Sequence, residues 1–326
     1  MPHRFQENSQ FCLLAFNNAY TDLPNEPFQL SDGTWILHGV PVTKDLVSWG
    51  KWLGSIRLNR LRSANLVLLA EEPSEFPQVL GAVHQRISND IGLLYHMLHL
   101  RVGIDISDDE GADRLGGSSV NGMPDIRRVE QMPKFYRTQG CSRAPITRDW
   151  LESSLVLRSG FSDTETEGTQ FRRLIRGLIT LFKGLKEKTG QDRLHQFVRS
   201  LEALVLPDIG KTTKQFVRRC QTFARAGKDT HELLSQAFDM RSATEHLNPW
   251  DEPVQCYPLD EREAVCLHRT RQIERLACDA YSRLLCDTAL REHFRTDDAI
   301  AMFWNLPDTQ RYRYWGTPLD ISKEPQ

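Results

Sequence analysis

The residues with the strongest chemical character stand on one stretch, Leu233 to Leu247, which reads LLSQAFDMRSATEHL and runs into Asn248-Pro249-Trp250. At 3.6 residues per turn, Leu234, Ala237, Phe238, Arg241 and Glu245 share a face, so a guanidinium stands inside an apolar stripe. A cation turned into packed surface is strongly unfavourable unless it is paired and hydrogen-bonded, so a partner must face Arg241. Pro249 disfavours the helical conformation at Asn248, and the spacing predicts a helix that ends near Leu247. His246 then falls in the last turn, where unpaired carbonyls and the negative end of the helix dipole favour a charged imidazole. Five residues apart, Arg241 and His246 are separated by about 140° around a straight helix. They converge on one phosphate only if the final turn loosens or a second chain brings another copy of the pair.

Other groups could support them. Glu202 lies at the margin of an apolar stripe and suits Arg241, Arg218 or Arg219 as counter-ion; a solvated helix glutamate is the bland alternative. Glu245, one turn from Arg241, allows a third reading, an internal ion pair that only organises the core. Residues 171 to 228 hold fourteen Lys and Arg against four Asp and Glu, while the whole chain carries a net charge of -2. Arg172, Arg173 and Arg176 lie off the stripe Phe171, Leu174, Ile175, Leu178, Phe182, Leu185, and with Arg218 and Arg219 they form the expected nucleic-acid-binding surface. A plainly solvated helix face competes with that reading.

The run Arg241-Ser242-Ala243-Thr244-Glu245-His246 resembles the Arg-x(4 to 6)-His motif of the HEPN superfamily. Ser200-Leu201-Glu202-Ala203-Leu204-Val205 is similar to the glutamate-bearing helix of its ApeA-like branch, and Phe238-Asp239-Met240 extends the likeness, which covers roughly residues 150 to 290. Ser242 stands where many catalytic members have Asn, Asp or His, and Leu247 where that branch usually has Gly. The resemblance implies an all-α HEPN-like bundle and a metal-independent RNA endonuclease without cofactor. Two motifs would meet in one composite site at a homodimer interface, as in toxin or antiviral systems. Arg241 would hold the scissile phosphate, His246 would move a proton, and Ser242, Glu245 and Glu202 would support them. The alternative is a non-catalytic HEPN-like module that binds RNA or docks a protein.

The elements that must position these groups follow from periodicity. With 326 residues, the chain has room for two domains and a proper core. The expected fold class is α+β: a small mixed α/β domain at 1-148, a helical bundle at 149-295 and a C-terminal wrap at 296-326. No apolar run approaches the length of a membrane span, no secretory layout opens the chain, and seven scattered cysteines fit reduced thiols, so the expected location is the cytoplasm.

In the first domain, 33-42 reads as a strand or hairpin, 65-70 as a strand, Leu46 to Leu61 as a helix, and Phe76 to Leu100 as a long amphipathic helix; Phe11 to Phe16 is only a short apolar patch. Trp49 and Trp52 beside Arg57, Arg60 and Arg62 resemble a nucleic-acid face, but a helix that buries both rings is the favoured reading. His96 and His99 read as structural, not as metal ligands. The Gly-rich stretch 105-148 reads as connector, with turns at Asp108 to Gly111 and Gly116 to Gly122. A regulatory partner for the first domain is a further expectation.

Overall fold

The computed structural model describes residues 5–6, 8–39, 46–74, 81–106, 112–119 and 125–323. Its contacts define two compact units, one of Met1–His99, Ile104–Phe135 and Arg143–Arg158, the other of Leu100–Gly103, Tyr136–Ser142 and Ser159–Gln326. The fold is α+β: an antiparallel sheet with helices, then a helical bundle.

Six strands build the sheet of the first unit: β1 (Ser9–Phe16), β3 (Phe28–Gln29), β4 (Trp35–Leu37), β5 (Leu66–Pro73), β6 (Asp113–Ser118) and β7 (Asp125–Gln131), in the order β3-β4-β5-β1-β6-β7. A short parallel pair joins β2 (Thr21–Asp22) to β8 (Ile146–Thr147). The apolar patch at Phe11 to Phe16 is the central strand, paired on both sides with Leu13 opposite Leu69 and Leu115. Its side chains alternate. Phe11 and Leu13 join Trp49, Leu53, Leu58 and Leu61 of α1 (Leu46–Arg62), whereas Phe16 stacks on Tyr95 of α2 (Ala82–Leu98) at 5.7 Å on the other face.

The connector expectation is corrected here, because 113-131 supplies two strands of the sheet. Gly116 and Gly117 lie inside β6, and the reason is close approach: a Cβ at Gly116 would stand 1.9 Å from His84 Nε2 on α2. The proposed turns at 108-111 and 120-122 lie outside the described residues, as do 40-42 and 76-80. Trp49 is buried as expected, but Trp52 is exposed beneath the guanidinium of Arg127. Gly54, at φ 74°, breaks α1 just after it.

The division between units falls within α3 (Arg148–Thr166). The second unit then runs through α4 (Arg172–Lys186), α5 (Gly190–Val205), α6 (Thr212–Phe223), α7 (Lys228–Glu245), α8 (Arg262–Cys286), α9 (Thr288–Glu292), α10 (Asp297–Asn305) and α11 (Asp308–Trp315). Helix α5 packs on α4, α6, α7 and α8. Helix α8 carries the core, with Ile273, Leu276, Ala277, Ala280, Tyr281 and Leu284 fully buried. Gly177 brings α4 close, since a Cβ there would meet Tyr281 and Ala203. Gly190 opens α5, and Thr189 caps the helix, its hydroxyl accepting from the Asp192 amide at 3.1 Å. The C-terminal aromatics pack back on the bundle through Trp304 and Trp315 against Phe223. Among the described residues no helix is long and apolar enough to cross a membrane.

One buried ion pair was not foreseen. Arg193, 2% exposed, donates to Glu274 at 3.2 Å, to Thr138 at 3.0 Å, and to the carbonyls of Leu185 and Glu187. Each of its nitrogens is hydrogen-bonded within the bundle, which fixes the α4–α5 turn.

Candidate functional site

Helix α7 turns Leu234, Ala237 and Phe238 into the core, and Arg241 follows them on the same face. Its Nη2 donates to Glu202 Oε2 on α5 at 3.1 Å, its Nη1 pairs with Glu245, and its guanidinium lies 5.7 Å from the Phe238 ring centre. Glu202 therefore selects Arg241 among the three arginines considered for it. The side chains of Arg241 and Glu202 are 14% and 16% exposed, whereas that of Glu245 is 44% exposed. Arg241 is thus paired within its own bundle, which the core-organising reading also requires. Its Nε is buried without a hydrogen-bond partner. Burial pushes the Glu202 carboxyl above the usual carboxylate range, although the Arg241 guanidinium pulls the other way.

Helix α5 brings two more groups to Arg241 that sequence reasoning missed. His195 and Arg199 precede Glu202 at helical spacing on one face of α5. Burial first, and then the charges of Arg241 and Arg199, hold the His195 ring below the ordinary histidine range. The signal was present as the spacing i, i+4, i+7 in His195, Arg199 and Glu202, but only the facing helix makes it a cluster.

His246 is the C-cap of α7 and is exposed. Beyond it, the Leu247 amide donates to the Thr244 carbonyl at 3.2 Å and the Asn248 amide to the Ala243 carbonyl at 2.8 Å. Leu247 itself adopts φ 61°, the left-handed position of a Schellman cap that glycine normally fills, and its side chain is exposed. The Ser242 carbonyl accepts from the His246 amide, and its hydroxyl makes no hydrogen bond among the described residues.

Glu202 also borders a cleft of about 620 Å³ between α4 and α5, whose charged lining is Arg172, Arg173, Arg176, Arg199, Glu202 and Asp297. Arg173 is committed to Asp297 by two hydrogen bonds of 2.8 Å, which hold that carboxyl below its usual range. Among the described residues Arg172, Arg176 and Arg199 take part in no ion pair. The expected basic surface is therefore only partly assembled. Arg218 is exposed away from the cleft, and Arg219 is used structurally, donating to the carbonyls of Val205 and Leu206 at 2.8 and 2.6 Å to close α5. A cation at the negative end of a helix has no call for a phosphate.

No protein family, curated protein or solved structure matches this chain. Among the described residues, no group of three His, Cys, Asp or Glu is placed to hold a metal ion. The ring of His99 packs on Tyr95 and Phe135 at 4.8 and 4.4 Å, and burial, with His96 beside it, pushes its pKa down to about 3. That environment is structural.

Proposed function

We propose that the chain is a metal-independent RNA endonuclease of HEPN type, whose site is composed of Arg241 and His246 from two copies. The observation that supports this reading is the inequality of the two carboxylates on Arg241. Glu202 is largely buried on a neighbouring helix and holds the guanidinium in place. Glu245 is exposed at the end of Arg241's own helix, and such an i,i+4 pair contributes only about 0.3–0.5 kcal/mol. A phosphodiester displaces Glu245 at little cost while Glu202 keeps Arg241 aimed. His246, the next residue, is open to solvent and to a second chain.

The reaction is an internal transesterification. The ribose 2′-oxygen attacks phosphorus as His246 of one copy takes its proton; the bond to the 5′-oxygen breaks, and the leaving oxygen takes a proton from the second copy's imidazolium. Arg241 stabilises the charge that grows on the non-bridging oxygens. The products are a 2′,3′-cyclic phosphate and a 5′-hydroxyl. By the same resemblance the role is that of a toxin or antiviral effector, with the first unit serving regulation. The test is incubation with total RNA in EDTA: the expected products carry cyclic phosphate ends, and RNA left intact at concentrations where the solution mass is dimeric refutes the proposal.

The second reading is a non-catalytic module that binds RNA or docks a protein. It is favoured by the double pairing of Arg241 inside one bundle and by Ser242 and Leu247. It predicts salt-dependent RNA binding with no cleavage at any protein concentration.

A further inference from the structure

We infer that the cleft between α4 and α5 holds the sugar–phosphate backbone of a single RNA strand without regard to its bases. This rests on the reading that the chain acts on RNA.

Exposed positive charge converges on the cleft. The half-buried Arg283, Arg295 and Arg173 are answered from within the fold, by Asp279, by Glu167 and Glu292, and by Asp297. Arg172, Arg176 and Arg199 are exposed and make no ion pair among the described residues, and all three line one concavity. Arg172 and Arg173 also sit in the first turn of α4, which has no acidic residue. Cations there face the positive end of the helix dipole, a repulsion that a bound anion reverses.

The second argument is what the cleft lacks. Its remaining lining is Gly177, Thr180, Ala203 and Pro207, with no aromatic ring on which a base could stack and no Asn or Gln to read an adenine edge. The third argument is spacing. Arg172 and Arg176 are one turn apart, about 6 Å along α4, and Arg199 comes from α5. Three separated cations suit successive phosphates of a strand better than one compact anion. Because Glu202 both lines the cleft and bonds Arg241, a strand held there passes beside the proposed cleaving pair.

The experiment is fluorescence anisotropy of the full chain with labelled 2′-O-methyl oligouridine and oligoadenosine, which resist cutting, over a range of salt, with pyrophosphate as competitor. The expected result is similar affinity for both sequences and a linear fall of log affinity with log salt. Arg172→Ala, Arg176→Ala and Arg199→Ala should each lower the magnitude of the salt slope by about 0.7. Arg218→Ala, exposed and off the cleft, should leave it unchanged. Circular dichroism melts confirm that the exposed-arginine variants are folded.

A triple variant with the wild-type slope overturns the inference, even if the protein cuts RNA. Loss of the slope in a protein that cuts nothing upholds the cleft and removes the nuclease. A strong preference for one base, displacement by pyrophosphate far below the salt concentration, or no RNA binding at low salt also overturns it.

Discussion

Arg241 was legible as a buried cation because 3.6-residue periodicity alone places it beneath Leu234, Ala237 and Phe238. Its partner was not, since Glu202 had three arginines within reach on paper, and only the packing of α5 on α7 chooses among them. The pairing makes a graded prediction. Glu202→Gln keeps an acceptor for Arg241 Nη2 and should lower stability by less than about 1 kcal/mol, whereas Glu202→Ala strands that group beside an already unpartnered Nε and should cost about 1–3 kcal/mol. Equal melting temperatures for the two variants in urea and heat would refute the anchoring role. Leu247 gives a second prediction. A leucine at φ 61° is strained, and its exposed side chain packs on little, so Leu247→Gly should raise stability by about 1 kcal/mol. A lower denaturation midpoint would show that Leu247 makes contacts the fold needs.

Helix α5 is the element on which the site turns, and here sequence reading reached half of it. Its apolar stripe was plain, but the polar face that meets α7 carries His195 and Arg199 as well as Glu202, and nothing in one helix says which polar face is covered. The same limit hid β6 and β7, because Gly116 reads as a turn until α2 is seen pressing on it. His195 gives the element a pH signature. Its folded pKa lies below the unfolded value of about 6.5, so the unfolded chain takes up a proton first as pH falls. Stability should therefore be whole above the unfolded value and decline as pH drops towards the folded one. His195→Gln should flatten that part of a thermal-melt series, and an unchanged slope in the variant would show that the ring titrates normally.

At the scale of the molecule, helical periodicity and the position of Gly and Pro conveyed the α+β class and most of the bundle, whereas assembly lies beyond any single chain's pattern. Arg241 and His246 lie at one end of α7, the imidazole exposed and the guanidinium held from α5, and the proposed function requires a second copy to complete the site. Activity should then follow the dimer: the specific rate should rise with protein concentration through the range in which the mass doubles, and a rate per chain constant over that range would point to a site within one chain. The most direct measurement compares RNA cleavage in EDTA by the wild type, Arg241→Ala and His246→Ala, each shown to be folded and at equal concentration. The proposed function predicts cleavage by the wild type with cyclic phosphate ends and a loss of at least about a hundredfold in either variant; cleavage by both variants at the wild-type rate would contradict it.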